Sequence, residues 1–84
     1  MRKSTHTREY QIFLKLLIEE RMKAGQTQAQ LGEYLTFGQP GISKIERAER
    51  RVDIVELRMI CGGLGIKLED FIAEFVRRID NAAE

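Results

Sequence analysis

Apolar residues Tyr10, Phe13, Leu14, Leu17 and Ile18 recur at the i, i+3, i+4, i+7, i+8 spacing of one helix face, and Gly25 follows as a helix-ending residue. The pattern predicts a first helix from about residue 7 to 24. Thr27 and Gln30 stand three apart, the spacing of a capping box: the threonine oxygen accepts the Gln30 amide and the glutamine reaches back to the Thr27 amide. A short second helix over residues 27–35 follows from it. Thr36, Phe37 and Gly38 break the pattern. Pro40 then suits a first helical turn, where its missing N–H leaves nothing unsatisfied, so a third helix is predicted from about 39 to 48. Its strongly apolar residues are Ile42 and Ile45, three apart on one stripe, so most of its circumference must face water or another polar partner. Asp53 and Glu56 form another capping box, with Val52 and Leu57 at the positions of a hydrophobic staple. Helix 4 therefore starts at Asp53, turns Leu57, Ile60, Cys61 and Leu64 inward, and ends at Gly65. Leu68, Phe71, Ile72, Phe75, Val76 and Ile79 predict a fifth helix over residues 68–81. No stretch shows strand alternation, an internal repeat or a linker, so the expectation is a single all-α domain spanning residues 1–84.

Composition narrows the class. A chain of 84 residues with 43% hydrophobic content can hold one small core, and a single cysteine cannot staple it internally. Self-association is a natural source of added stability in such a chain. No apolar run approaches the roughly 18 residues of a membrane span. The N-terminal MRKSTHTREY lacks the apolar segment of a secretory signal, so the cytosol is the expected compartment. His6 stands alone, with no second histidine or cysteine at ligand spacing, which argues against a metal. No Ser, Cys or His pairs as nucleophile and base, and no glycine-rich phosphate loop follows a strand, so neither an enzyme nor a cofactor is expected. Cys61, on the apolar face of helix 4, reads as a small hydrophobe.

Net charge is +1, and its distribution carries more than its sum. Arg2, Lys3 and Arg8 occur in the first eight residues without an acid. Lys44, Arg47, Arg50 and Arg51 outnumber Glu46 and Glu49 between residues 39 and 51, and from Ile66 onward acids outnumber bases. Such a chain has either an evenly solvated surface or one basic face turned to a polyanion.

Five short helices, the second and third joined by a three-residue turn, outline a helix-turn-helix. The segment TQAQLGEYLTFGQPGISKIERAERR resembles the XRE family, the lambda-repressor and Cro-like class of bacterial and phage DNA-binding proteins. The likeness runs without a gap from Gln26 to Arg51, continues through VDIVELRMICGGLGIKLEDF, and covers roughly residues 8 to 76. It implies a five-helix lambda-repressor-like fold with the helix-turn-helix at about residues 27–48. It also implies a regulator of transcription, either repressor or controller, that binds double-stranded DNA. Base contacts are expected from Gln39, Pro40, Gly41, Ser43 and Lys44, where small residues let the backbone approach the groove. Thr27, Gln28, Arg47, Arg50 and Arg51 are the expected phosphate contacts. Arg21 and Glu46 match a pair that ties helix 1 to helix 3.

The chain departs from the family pattern twice. Thr36 stands where a left-handed glycine is usual, so Gly38 is expected to carry the irregular backbone. Lys67 stands where a capping serine or aspartate is usual, which predicts a frayed start to helix 5. The apolar positions of helix 5 cover more than a narrow stripe, and Phe71, Phe75 and Ile79 are the expected contacts of a homodimer built on that helix and the adjoining part of helix 4. Two other readings stay open. One is an antitoxin that represses its own operon and holds a toxin partner. The other is an interaction module that has lost DNA binding, to which Thr36, Pro40 and Gly41 would be suited.

Overall fold

The computed structural model describes residues 7–82; Arg2, Lys3 and His6 lie outside the described residues. Five helices follow in order, α1 (Arg8–Lys23), α2 (Gln28–Gly32), α3 (Gly38–Glu46), α4 (Ile54–Leu64) and α5 (Leu68–Ala82), with no strand among the described residues. Their ends are set locally. The Thr7 hydroxyl accepts the Tyr10 amide at 3.1 Å to cap α1, and Gly25 leaves it at φ +71°. The Thr27–Gln30 box closes in both directions, at 2.8 and 3.0 Å, and the Asp53–Glu56 box at 3.2 and 2.7 Å. Gly65, at φ +75°, ends α4 in the left-handed conformation that glycine adopts without strain. At α5 the Lys67 carbonyl accepts the Phe71 amide at 3.1 Å, so the backbone begins the helix there without a serine or aspartate.

The turn between α2 and α3 differs from the simplest expectation. α2 stops at Gly32 because tight bonds, Tyr34 N–H to the Leu31 carbonyl and Leu35 N–H to the Gly32 carbonyl at 3.1 Å each, replace the α-helical ladder. Gly38 takes the left-handed backbone at φ +63°, and Thr36 is spared it. At the other end of α3, Ala48 sits at φ +64°, the one non-glycine residue among those described with a positive φ, and the Glu49 amide returns to the Lys44 carbonyl at 2.8 Å. An alanine thus occupies a position that glycine fills without strain.

α1 is the spine, with α3 and α5 against it, while α2 packs on α3 and α4. Contact on more than one side widens its buried face: Leu16 is 1% exposed although it lies off the predicted stripe, and Tyr10 and Ile18 at the stripe's margins are only half-buried. Leu17, Leu31, Ile42, Ile45 and Ile60 fill the centre. α2 and α3 meet backbone to backbone at Gly32, where an added Cβ would lie 2.7 Å from the Gly38 carbonyl carbon and closer still to the Gln39 amide. Cys61 is buried, and that burial, with the Glu20 charge nearby, pushes its thiol up to about 11, so it stays protonated and packs as an apolar group.

α5 docks through aromatics. Phe13 meets Phe71 and Phe75 edge to face at centroid distances of 5.8 and 6.2 Å, and Tyr10 meets Phe13 at 5.2 Å. Phe71 is 3% exposed, so the expectation that it serves a dimer surface is corrected: its ring is already spent on the core of its own chain. Phe75 and Ile79 remain half-buried. Ion pairs reinforce the seam, with Arg78 bridging Glu19 of α1 and Glu74 of α5 at 2.8 Å each.

Three outcomes are expected in unfolding experiments on variants of this chain. Gly32→Ala forces two backbones apart and should destabilise the fold by about 3 kcal/mol, the upper part of the overpacking range, in urea titration. Ala48→Gly relieves a left-handed residue that costs about 1 kcal/mol, part of which glycine returns through unfolded-state entropy, so a net gain of roughly 0.5 kcal/mol is expected. Arg77 and Arg78 hydrogen-bond the Glu74 carboxyl and hold it at about 2, against an ordinary 4.5. Between those values the unfolded chain binds more protons, so this stabilisation is complete above about pH 4.5 and is lost as pH falls toward 2. The melting temperature of wild type should therefore fall more steeply across that window than that of Glu74→Gln.

Candidate nucleic-acid interface

The site is assembled around one carboxylate. Glu46, in the last turn of α3 and with its side chain 7% exposed, accepts Arg21 Nε at 2.7 Å and Nη2 at 3.0 Å. Arg21 also donates to the Gln26 carbonyl at 2.8 Å, so one guanidinium joins α1, the α1–α2 link and α3. The same carboxylate accepts Gln28 Nε2 at 2.9 Å, and Gln28 Oε1 in turn accepts Gln39 Nε2 at 3.1 Å. A hydrogen-bonded chain therefore runs from the interior out to an exposed glutamine on the first turn of α3. Gln39 retains its Oε1 and a second amide hydrogen for an outside partner.

Gln39, Pro40 and Lys44 are exposed and Ser43 is half-exposed, so four of the five expected base-reading positions lie on the open side of α3. Gly41 does not. It is buried beneath the Phe37 ring, where an added Cβ would sit 2.8 Å from Phe37 Cγ, and its lack of a side chain makes room for that ring rather than for a base. Sequence spacing placed Gly41 correctly in the helix but could not show which way the turn folds its phenylalanine.

The cations divide into two groups. Lys44 and Arg51 are exposed and make no salt bridge among the described residues. Arg47 is paired with Glu49, both bonds at 3.1 Å, and donates to the Ser43 hydroxyl. That pairing holds the Glu49 carboxyl below its usual range and raises Arg47, but both side chains are more than half exposed, so the pair is weak and exchangeable. Arg50 is engaged differently: it grips Glu56 with two bonds, at 3.2 and 2.9 Å, and lies over the Phe37 ring at 4.3 Å. Its hydrogen bonds lower the Glu56 carboxyl's proton affinity. Thr27 spends its hydroxyl on the α2 cap, which leaves the first-turn amides of Gln28 and Ala29 as outward donors. No trio of His, Cys, Asp or Glu among the described residues is arranged to hold a metal, and no helix is long and apolar enough to cross a membrane.

A helix-turn-helix family matches residues 17–71, which takes in α2, α3 and α4 whole. No curated protein matches the chain. Among solved structures, an XRE-family like protein from Pseudomonas syringae pv. tomato str. DC3000 is similar at 36% identity and a TM-score of 0.81, over 89% of this chain and 92% of that one. The chain belongs to the XRE-type helix-turn-helix family of non-enzymatic, DNA-binding proteins.

Proposed function

We propose that the protein is a sequence-specific transcriptional regulator, a repressor or controller, which reads double-stranded DNA with α3 and acts as a C2 dimer on a near-palindromic site. The observation that carries this reading is the chain of hydrogen bonds from Arg21 through Glu46 and Gln28 to Gln39. It fixes the orientation of a carboxamide whose free oxygen and hydrogen match adenine N6 and N7. Lys44 reaches guanine O6 and N7 from the next turn, Pro40 offers an apolar face to a thymine methyl, and Ser43 accepts or donates at either base.

Phosphates on either side meet the first-turn amides of α2 at Gln28 and Ala29, since the Thr27 amide is held by Gln30, and the guanidinium groups of Arg47 and Arg51. Arg47 exchanges Glu49 for a phosphate at little cost, because the exposed pair is worth little in water. The dimer forms through what the core leaves open on α5 and the start of α4. Phe75 and Ile79 are half-exposed there, and Val76, Ile54 and Val55 are 48%, 58% and 65% exposed. Two copies of α3 then lie about 34 Å apart on one face of the duplex.

Selection from a random duplex pool, with the winners followed across a salt series, tests the reading. Enrichment of two inverted half-sites about one helical turn apart is expected. Gln39→Ala should lose about 1–3 kcal/mol of discrimination at one A·T pair while keeping the wild-type salt slope. A pool that stays random would overturn it.

A further inference from the structure

α3 begins without a cap of its own. Its N-cap residue is Phe37, which offers no side-chain acceptor to the first amides, whereas α1, α2 and α4 each start on a threonine or aspartate cap. The first turn of α3, which carries Gln39 and Pro40, must be fixed by something else. Phe37 supplies part of it, because its ring lies against Gly41 at a spacing that no side chain at 41 would permit. The Arg50 guanidinium lies over that ring, 4.3 Å from its centroid. Arg50 is itself immobilised by Glu56 at 3.2 and 2.9 Å and by the Arg51 carbonyl at 3.2 Å, which occupies three of its five N–H donors. Glu56 is anchored in turn, since its Oε1 also accepts the Asp53 amide in the α4 capping box.

We propose that Arg50 is a positioning residue for the recognition helix: held by Glu56, it clamps Phe37 onto Gly41 and sets the tilt at which the first turn of α3 meets a base pair. In this role Arg50 is not a phosphate ligand, unlike Arg47 and Arg51. Planarity and the two-pronged fork are what the clamp requires, and charge alone does not provide them. The proposal rests on the DNA-reading function given above.

The experiment uses the full chain and the duplex that wild type selects. Arg50→Lys keeps the charge but loses the flat face and the fork. Glu56→Gln keeps an oxygen for the Asp53 amide but loses the ionic grip on Arg50. For each, binding to the selected duplex and to versions altered at one base pair opposite Gln39 or Lys44 is measured across a salt series, with helical content and melting recorded by circular dichroism. Both variants are expected to stay helical at the assay temperature, to keep the wild-type slope of log affinity against log salt, and to lose about tenfold in the ratio of affinities between selected and altered duplexes.

Arg50→Gln distinguishes the roles once more. Its salt slope stays at the wild-type value if Arg50 positions, and drops by about 0.9 if Arg50 neutralises a phosphate. Retention of the affinity ratio in Arg50→Lys, or a reduced slope in Arg50→Gln, would overturn the proposal while leaving the DNA reading intact. A lower melting point with an unchanged ratio would also overturn it, reducing Arg50 to a stabilising contact. A wild-type chain that enriches no duplex overturns the DNA reading, and this proposal with it.

Discussion

Glu46 is the charge on which the arrangement of helices depends. A carboxylate withdrawn from water must be met by donors, and here they arrive from two other helices, Arg21 of α1 and Gln28 of α2, while Gln28 in turn accepts the side chain of Gln39 at the far end of α3 itself. Replacing the whole group with apolar residues could leave stability unchanged, since desolvation of both ions offsets much of their attraction. Apolar packing would not, however, fix the direction of Gln39. The value of the pair lies in orientation, because hydrogen bonds impose angles that dispersion contacts do not.

Around this centre, two close approaches define the helix-turn-helix. Gly32 brings α2 and α3 into backbone contact, and Gly41 admits the Phe37 ring beneath α3. Both glycines act through the absence of a Cβ and not through unusual dihedral angles, which the turn assigns to Gly38 instead. Arg50, in the cation-bearing loop after α3, then lies over the ring. The electrostatic character of this surface is therefore mixed: Lys44 and Arg51 are open to a polyanion, Arg47 is loosely neutralised, and Arg50 is internal to the architecture.

The five helices and their family were legible in the sequence because the signals are local. Capping boxes at Thr27 and Asp53, and glycines at 25 and 65, act within a few residues of the ends they define. Periodicity identified most of the buried residues but missed Leu16, since a helix covered by two others buries more than one stripe. Gly41, Arg50 and Phe71 were harder for the same underlying reason. Whether a glycine faces a groove or a ring, whether an arginine faces solvent or Glu56, and whether a phenylalanine faces a partner or Phe13 depends on contacts between segments far apart or on the path of a turn. Helical spacing assigns such residues to a position along the helix and leaves their environment undetermined.

The backbone contact at Gly32 also bears on the thermodynamics of recognition. Because α2 and α3 touch without intervening side chains, the cost of ordering one against the other is met when the chain folds and not when it meets a ligand. Lys44 and Arg51, exposed beside this unit, keep the freedom of long side chains. A preorganised unit of this kind associates with little conformational penalty, and it has correspondingly little freedom to reshape itself around a poorly fitting ligand.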